Sequence, residues 1–372
     1  MELDLRVAIE GVKSYVVPDL GIGFVDREFE VGKLLGEYIR GRGYEHLMVV
    51  TGPWGCGKSQ FARAIVHALS KVGNYIAVYV DLTQEEIGKV VYPLHTKVSE
   101  VLMKLISEVL GDVVKIPLYL YQLFTELRRV TELKGKVFLL IIDEVTRSLE
   151  KYKLSIRDFI SCMSMKIFEI RNEVGLESLY SIVLTSEQTA MQYFLREIGK
   201  NMYVYLLWNL PREAHDLLLS RLGTPPSLST ELLWRLTGGN PREVKCLRDF
   251  NWDVNEYVSA RIELMRDVYR YAARIGVLDY LRTITESVDE LVPYVPGEVS
   301  PESKLCEFLL RNSVVIRVDA RLRRLSKVPS EPWVGKVWSF QVPIYYWILK
   351  TMVSKQCEKV APRDVISVAL RE

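Results

Sequence analysis

The sequence predicts an α/β fold in which helices cover a parallel sheet, followed by a helical lid and a winged-helix region. Three observations predict it. Apolar strands and amphipathic helices alternate from residue 24 to about residue 210, a pattern typical of a parallel sheet buried on both faces. A glycine-rich loop joins the first of these strands to a helix. Beyond residue 210 the strands stop, and helices lead into a two-stranded ribbon.

Length and composition set the expected organisation. The chain has 372 residues, of which 49% are hydrophobic and 26% charged, enough for two or three globular domains. We expect boundaries at 1–209, 210–252 and 253–372. A net charge of +2 neither requires nor excludes a nucleic-acid partner. The N-terminus has no basic region followed by an apolar run, and no apolar run of about 18 residues occurs, so we expect no signal peptide and no membrane partner. Five cysteines without a C-x-x-C pair indicate a reducing, cytoplasmic location.

The elements of the first region follow from hydrophobic periodicity. We expect strands at 46–51, 75–82, 137–142, 179–185 and 203–208. We expect helices at 27–40, 59–70, 96–110, 118–133, 155–173 and 188–199.

Caps and breaks define the elements after residue 210. Pro211 begins one lid helix, Ser229 caps a second and Pro241 begins a third. Further on we expect helices at 254–275, 277–291 and 301–310, strands at 314–318 and 336–340, and a last helix at 343–354. The aromatic run at 345–347 is expected in the core.

Residues 52–59 match the pattern G-x-x-x-x-G-K-[ST] at every fixed position. Glycines let the backbone curl so that its N–H groups surround an anion, and the following helix adds partial positive charge. Lys58 is expected to reach the β and γ phosphates, and the Ser59 hydroxyl to bind Mg²⁺. A chance glycine-rich turn is the alternative, but the strand before and the helix after it favour a phosphate loop. The expected nucleotide-binding residues here are Gly52, Pro53, Trp54, Gly55, Cys56, Gly57, Lys58, Ser59 and Gln60.

A second motif, which is acidic, follows the apolar strand at 137–142. Asp143 and Glu144 follow it, at the strand end where ligands of parallel sheets bind. Asp143 is expected to orient Mg²⁺, and Glu144 to activate the attacking water as general base. A base for water favours hydrolysis over phosphoryl transfer to a small molecule. No guanine-specific motif is present, so ATP and ADP are the expected nucleotides.

Two further polar positions are candidates for contact with the γ phosphate. Ser186, with Thr185 as second choice, follows the strand at 179–185 and is expected to bridge the phosphate and the water. Arg242 follows Pro241 on the first turn of a lid helix, where its guanidinium is expected to sense the γ phosphate. An ordinary strand end and a surface arginine are the respective alternatives.

Together these motifs resemble the archaeal branch of AAA+ and STAND ATPases, whose core is a P-loop fold of the additional-strand catalytic-glutamate type. The resemblance covers residues 20–250 and also rests on the segment 24–28 and on Gly238-Gly239-Asn240-Pro241-Arg242. It implies that Phe24, Val25 and Arg27 line the adenine pocket and that Pro241 and Arg242 contact nucleotide. It also implies a homo-oligomer with an arginine supplied in trans, for which Arg196 is the candidate.

The sequence departs from that pattern at two places. STAND members commonly carry a glycine where this chain has Asp26, and a Gly-Ser pair where it has Ser186-Glu187. The first position has a local explanation as well, because an aspartate before a helix is a common cap.

The C-terminal region contains a basic loop between its two expected strands. Cations on a ribbon tip suit the phosphates of double-stranded DNA. The alternatives are a solvated loop, or a winged helix that binds protein in a signalling or scaffold ATPase. The helix at 301–310 mixes acidic and basic residues and is a poor recognition surface. The candidate DNA contacts are Arg317, Arg321, Arg323, Arg324, Lys327 and Lys336.

Overall fold

The computed structural model describes residues 2–39, 47–81, 91–92, 133–146, 156, 159–160, 163, 171–199 and 202–371. By its contacts the chain divides into two compact units. The first comprises Met1–Thr51, Lys58–Thr185 and Tyr193–Leu206, and the second comprises Gly52–Gly57, Ser186–Gln192 and Leu207–Glu372. The helix expected at 96–110, nearly all of that at 118–133 and most of that at 155–173 lie outside the described residues.

The first unit begins with elements that periodicity did not predict. Helix α1 spans Glu2–Lys13, and strands β1 (Val16–Val17) and β2 (Ile22–Gly23) form an antiparallel hairpin. The helix expected at 27–40 is two segments, α2 (Glu28–Gly32) and a π-helix (Lys33–Ile39). The prediction of Asp26 as its cap was wrong. Arg27 occupies the N-cap position, and its side chain forms no cap hydrogen bond. Asp26 and Arg27 both have positive φ, 60° and 82°, so the helix begins only at Glu28.

A mainly parallel sheet forms the core of the first unit. Its strands run in the order β8-β3-β7-β6-β4-β5, and every neighbouring pair is parallel except β4 and β5. Strand β7 therefore lies between β3, which precedes the glycine-rich loop, and β6, which ends in the acidic pair. This arrangement confirms the additional-strand fold class. The strands are β3 (Leu47–Thr51), β4 (Tyr75–Asp81), β5 (Val91–Tyr92), β6 (Val137–Asp143), β7 (Ser178–Thr185) and β8 (Met202–Leu206).

Burial explains why these strands are continuous apolar runs. Every residue of β3 and of β6 is buried, as a sheet covered on both faces requires. Helix α3 (Lys58–Leu69) follows the loop, and α4 (Met191–Glu197) follows β7. Helix α4 is shorter than the expected 188–199, since a turn occupies residues 188–190.

In the second unit, the three lid helices begin where the caps predict. They are α5 (Arg212–Arg221), α6 (Thr230–Thr237) and α7 (Pro241–Asp249). The Ser229 hydroxyl accepts from the Leu232 N–H, which confirms that cap. The Asn240 side chain caps α7 by accepting from the N–H groups of Arg242 and Glu243.

The rest of the second unit contains helices and a short antiparallel ribbon. Strand β9 pairs with β11, with Val315 opposite Phe340. Residues 345–347 are buried, as predicted. The prediction that the helix at 343–354 is the last one was wrong, because another amphipathic helix begins at Pro362. These elements are α8 (Val254–Arg274), α9 (Leu278–Glu286), a 3₁₀ turn (Val288–Glu290), α10 (Pro301–Arg311), β9 (Val315–Arg317), β10 (Arg323–Arg324), β11 (Trp338–Phe340), α11 (Pro343–Lys355) and α12 (Pro362–Arg371). Within the described part of the chain, no helix is long and apolar enough to cross a bilayer.

Candidate active site

The glycines of the loop at 52–57 occupy positions that other residues would not fit. A Cβ on Gly52 would lie 2.0 Å from the carbonyl oxygen of Leu207. Gly55 and Gly57 have φ of 84° and 97°, which L side chains rarely adopt. The Cys56 N–H closes a turn onto the Pro53 carbonyl at 3.1 Å. The loop is therefore a tight backbone curl of the kind that an anion site requires.

Trp54 is the one aromatic residue of the loop at 52–57, and 45% of its surface is accessible. The Arg242 guanidinium lies 3.2 Å from the centre of its indole ring. The Arg242 N–H also approaches the Gly55 carbonyl oxygen, at 3.4 Å. A Cβ on Gly55 would lie 2.5 Å from the Arg242 Cβ, so the glycine permits this close approach. The structure thus brings the predicted sensor arginine against the glycine-rich loop.

A buried carboxylate and two hydroxyl groups lie together in the first unit. Asp143 ends β6 with 3% of its surface accessible, and its carboxylate accepts from the Tyr79 hydroxyl at 2.6 Å. The Ser59 hydroxyl also hydrogen-bonds to Asp143. Burial raises the pKa of Asp143, while the Ser59 and Tyr79 hydrogen bonds and the charge of Lys58 oppose this shift. A hydroxyl beside a carboxylate fits the hard oxygen ligands that Mg²⁺ prefers.

A second carboxylate, which the sequence analysis missed, lies beside Asp143. Asp81 ends β4 in register with Asp143 on β6, is largely buried, and its charge contributes to the raised pKa of Asp143. Arg63 approaches Asp81 at 3.7 Å. The sequence contains a signal for Asp81, because this residue ends an apolar strand as Asp143 does.

Glu144 has a strained backbone. Its φ is 55°, and its N–H donates to the Asp143 carboxylate at 2.9 Å. Non-glycine residues in this conformation persist where surrounding structure enforces them, and they cluster at active sites. Glu144 is partly exposed.

At the end of β7, the structure distinguishes the two candidates. The Thr185 hydroxyl is fully buried and lies 3.0 Å from the Thr146 hydroxyl. Ser186 follows the strand and is partly exposed, and its carbonyl accepts from Gln188 at 3.2 Å. Ser186 is thus the more accessible hydroxyl. Arg196 is exposed in the last turn of α4.

The residues proposed for the adenine pocket adjoin a buried ion pair. Arg27 and Glu30 are both nearly inaccessible, and their side chains meet at 2.9 Å. Val25 is buried, and the Phe24 ring packs edge-on against Tyr15 with centroids 5.9 Å apart. Arg27 is consequently held in place by Glu30, a partner that lies one helical turn away in the sequence.

The basic residues of the C-terminal ribbon differ in how far their charge is compensated. Asp319 accepts from Arg317 and, at 2.8 Å, from Arg321. Burial opposes ionisation of Asp319, but the hydrogen bonds from these arginines lower its pKa overall. Arg324, Lys327 and Lys336 are exposed, and Arg323 is partly exposed. Trp333, at 2% accessibility, belongs to the core and not to this surface.

The scan against protein families matches residues 24–247 to the model described as an ATPase domain predominantly from Archaea. The chain belongs to this family of archaeal ATPases. It is therefore a nucleotide-binding ATPase, and the glycine-rich loop and the strand-end carboxylates both lie within the matched range. No curated protein matches the sequence.

Three solved structures are among those that resemble the ATPase. The ORC2 protein of Aeropyrum pernix, in ADPNP–ADP complexes, is 11% identical with a TM-score of 0.43, covering 94% of this chain and 98% of that one. Drosophila ORC bound to DNA is 14% identical with a TM-score of 0.37, covering 99% and 92%. Cdc6p from Pyrobaculum aerophilum is 14% identical with a TM-score of 0.37, covering 93% and 98%.

Proposed function

We propose that the protein is a magnesium-dependent ATP-hydrolysing switch. The observation that carries the proposal is the hydrogen bond between Ser59, the last residue of the glycine-rich motif, and Asp143, at the end of β6. Both residues are predicted Mg²⁺ ligands, and they come from separate motifs 84 positions apart. Ser59 and Asp143 would hold Mg²⁺, which would supply positive charge that offsets the charge of the phosphates during transfer to water.

The other roles follow from position and chemistry. Lys58, whose charge acts on Asp143, would bind the β and γ phosphates. Glu144 would polarise the water as general base. Ser186 would orient that water, and Arg242 would respond to the γ phosphate. The backbone of residues 52–57, with Gln60 on the following helix, would surround the remaining phosphate oxygens.

Adenine would bind beside Phe24, Val25 and Arg27. The buried Arg27–Glu30 pair fixes the arginine, so its aliphatic part and not its charge would face the base. Pro241, at the start of α7, would border the same nucleotide.

The switch would act on double-stranded DNA through the C-terminal ribbon, as a winged helix does. The observation that favours this is the exposure of Arg324, Lys327 and Lys336, whereas Asp319 partly compensates Arg317 and Arg321. DNA affinity would therefore depend more on Arg324 and Lys327 than on Arg317. A protein partner in place of DNA is the alternative outcome. We further propose a slow enzyme that acts in the cytoplasm, where cysteines remain reduced, and Arg196 as the arginine offered to a neighbouring copy.

Two variants test nucleotide binding and ATP hydrolysis separately. Lys58→Ala should abolish ATP and ADP binding in calorimetry. Glu144→Gln should bind ATP with wild-type affinity and lower kcat by about 100-fold or more, because only the base is lost. Normal turnover by Glu144→Gln would remove the glutamate from the mechanism.

DNA binding is tested by fluorescence anisotropy with a labelled duplex at several salt concentrations. Wild-type affinity should fall steeply with salt because counterions are released. The double variant Arg324→Ala, Lys327→Ala should weaken binding and reduce the salt slope by about two. The matched control is Arg274→Ala, another cation of the same unit that lies at the end of α8. Wild-type protein that shows no salt-dependent affinity would favour the protein-binding alternative.

A further inference from the structure

Both backbone hydrogen-bonding groups of Trp54, in the glycine-rich loop, are held by side-chain amides. Its N–H donates to Gln341 Oε1 at 2.6 Å, and its carbonyl accepts from Asn240 Nδ2 at 3.0 Å. Gln341 and Asn240 are 2% and 0% accessible. Buried amides of this kind are costly to leave unpaired, so they favour one loop conformation strongly.

The ribbon fixes the orientation of Gln341. Its Nε2 donates to the Val315 carbonyl at 3.3 Å, and its backbone N–H donates to the Val314 carbonyl at 2.9 Å. Gln341 follows β11, so a shift of this strand against β9 would move the acceptor on which Trp54 depends.

Helix α7 fixes Asn240 in the same way. Its Oδ1 accepts from the N–H groups of Arg242 and Glu243, at 3.1 and 3.2 Å, as the cap of the helix. Its Nδ2 also donates to Asn209 Oδ1 at 3.0 Å, and Asn209 Nδ2 donates to the Gln341 carbonyl at 3.1 Å. Trp54, Gln341, Asn209 and Asn240 thus close a ring of hydrogen bonds, which we call the amide ring.

We propose that Gln341 and Asn240 are positioning residues, which hold the glycine-rich loop ready for phosphate and couple its conformation to the ribbon. The inference rests on the proposed nucleotide function of that loop. Neither residue needs to touch nucleotide. Because the coupling runs both ways, nucleotide that alters the loop at Trp54 also alters the ribbon, and a ligand of the ribbon alters nucleotide affinity by the same factor.

Asn240→Asp separates the two roles of one side chain. A carboxylate still accepts from the N–H groups of Arg242 and Glu243, so the cap survives. It has no N–H to donate, so the bonds to the Trp54 carbonyl and to Asn209 are lost. We expect the dissociation constant for Mg-ADP in calorimetry to rise about tenfold. Asp253→Asn, the reverse exchange at the cap of α8, is the matched control and should not change it.

Gln341 is tested by the near-isosteric Gln341→Met, which accepts no strong hydrogen bond, and by Gln341→Glu, which keeps an acceptor for the Trp54 N–H. We expect Gln341→Met to raise KM and the Mg-ADP dissociation constant by about five- to tenfold with kcat changed less than twofold. Gln341→Glu should restore part of the affinity. Thr351→Val, which removes a buried hydroxyl bonded to Trp347 in α11, is the control for general destabilisation.

Hydrogen exchange followed by mass spectrometry tests the coupling between loop and ribbon without a measurement of turnover. In the wild type, Mg-ADP should slow exchange in peptides that cover 312–318 and 338–342, and this change should be absent in Asn240→Asp. If the wild type, Asn240→Asp and Gln341→Met had equal Mg-ADP affinities and equal exchange changes, the inference would be overturned. The proposed nucleotide function would not be affected by that result. Wild-type protein that binds no Mg-ADP would overturn the proposed nucleotide function and the inference with it.

Discussion

The guanidinium of Arg242 stacks on the indole ring of Trp54, 3.2 Å from its centre. Arg242 lies in the first turn of lid helix α7 and Trp54 lies in the glycine-rich loop, and both belong to the second unit. The stack gives the proposed sensor arginine a defined resting position. An arginine without this platform would sample many rotamers and lose conformational entropy whenever it engaged a phosphate.

We therefore expect Trp54→Leu to lower kcat about fivefold, because the ring contributes about 1 kcal/mol to the position of the guanidinium. Trp54→Phe should retain most of the activity. The effects of Trp54→Leu and Arg242→Ala should not add in a double-mutant cycle. Steady-state ATPase kinetics of the four proteins measure this, and additive effects would show that the stack has no part in turnover.

The Tyr79 hydroxyl predicts a change in pH dependence. It donates to the Asp143 carboxylate at 2.6 Å and stabilises the charged form. Tyr79→Phe removes this bond, so the pKa of Asp143 should rise further and the acidic limb of the kcat/KM profile should move to higher pH. Tyr75→Phe, at the start of the same strand, is the control. An unchanged acidic limb would exclude Asp143 as the group that titrates there.

His215 predicts how stability depends on pH. It is fully buried, with its ring nitrogens 3.0 Å from the Thr237 hydroxyl and 3.2 Å from Asp216, and burial lowers its pKa to about 4 despite the Asp216 hydrogen bond. The unfolded chain, with an ordinary histidine pKa of about 6.5, binds this proton first as pH falls. The contribution of neutral His215 to the free energy of unfolding is thus complete above pH 6.5. It falls by roughly 3 kcal/mol as the pH is lowered from about 6.5 to about 4.

Urea unfolding of the wild type and His215→Gln at pH 7.5 and pH 4.5 measures this contribution. The variant should lose less stability than the wild type between the two pH values, whatever its stability at pH 7.5. Equal losses would mean that other groups account for the pH dependence.

A substitution of Gly335 should disturb the ribbon selectively, because the residue lies against the Asp289 carboxylate. The Asp289 carboxylate accepts from the N–H groups of Val337 and Trp338 at 2.8 and 3.0 Å, and a Cβ on Gly335 would lie 2.3 Å from its Oδ1. Gly335→Ala should destabilise the second unit by about 1–3 kcal/mol and weaken duplex binding. Gly73→Ala is the control, since nothing lies within 4 Å of its added methyl group. Thermal unfolding and anisotropy would report both effects, and equal behaviour of the two variants would contradict the expected clash.

Periodicity and caps predicted much of the fold because they depend on neighbours along the chain. The buried strand before Asp143, the cap at Ser229 and the helix start at Pro241 are local features of this kind. The helix expected at 27–40 failed in part, since positive φ at Asp26 and Arg27 delays its start and a π-helix replaces its second half. Helix α12 was missed, although Pro362 begins it and its buried residues, Val365 and Ala369, are spaced as on one helix face.

The sequence alone determined the candidate chemistry, because a curled glycine-rich loop and a strand-end carboxylate each need only a few consecutive residues. Tertiary structure decided which groups support them. Gln341 reaches the Trp54 N–H across 287 positions, and Tyr79 reaches Asp143 from a neighbouring strand. No local pattern marks such partners, since side-chain hydrogen bonds between distant segments depend on how strands and helices are arranged in space. The motifs therefore fix what the loop can bind, and the packing around Trp54 fixes how the loop is held.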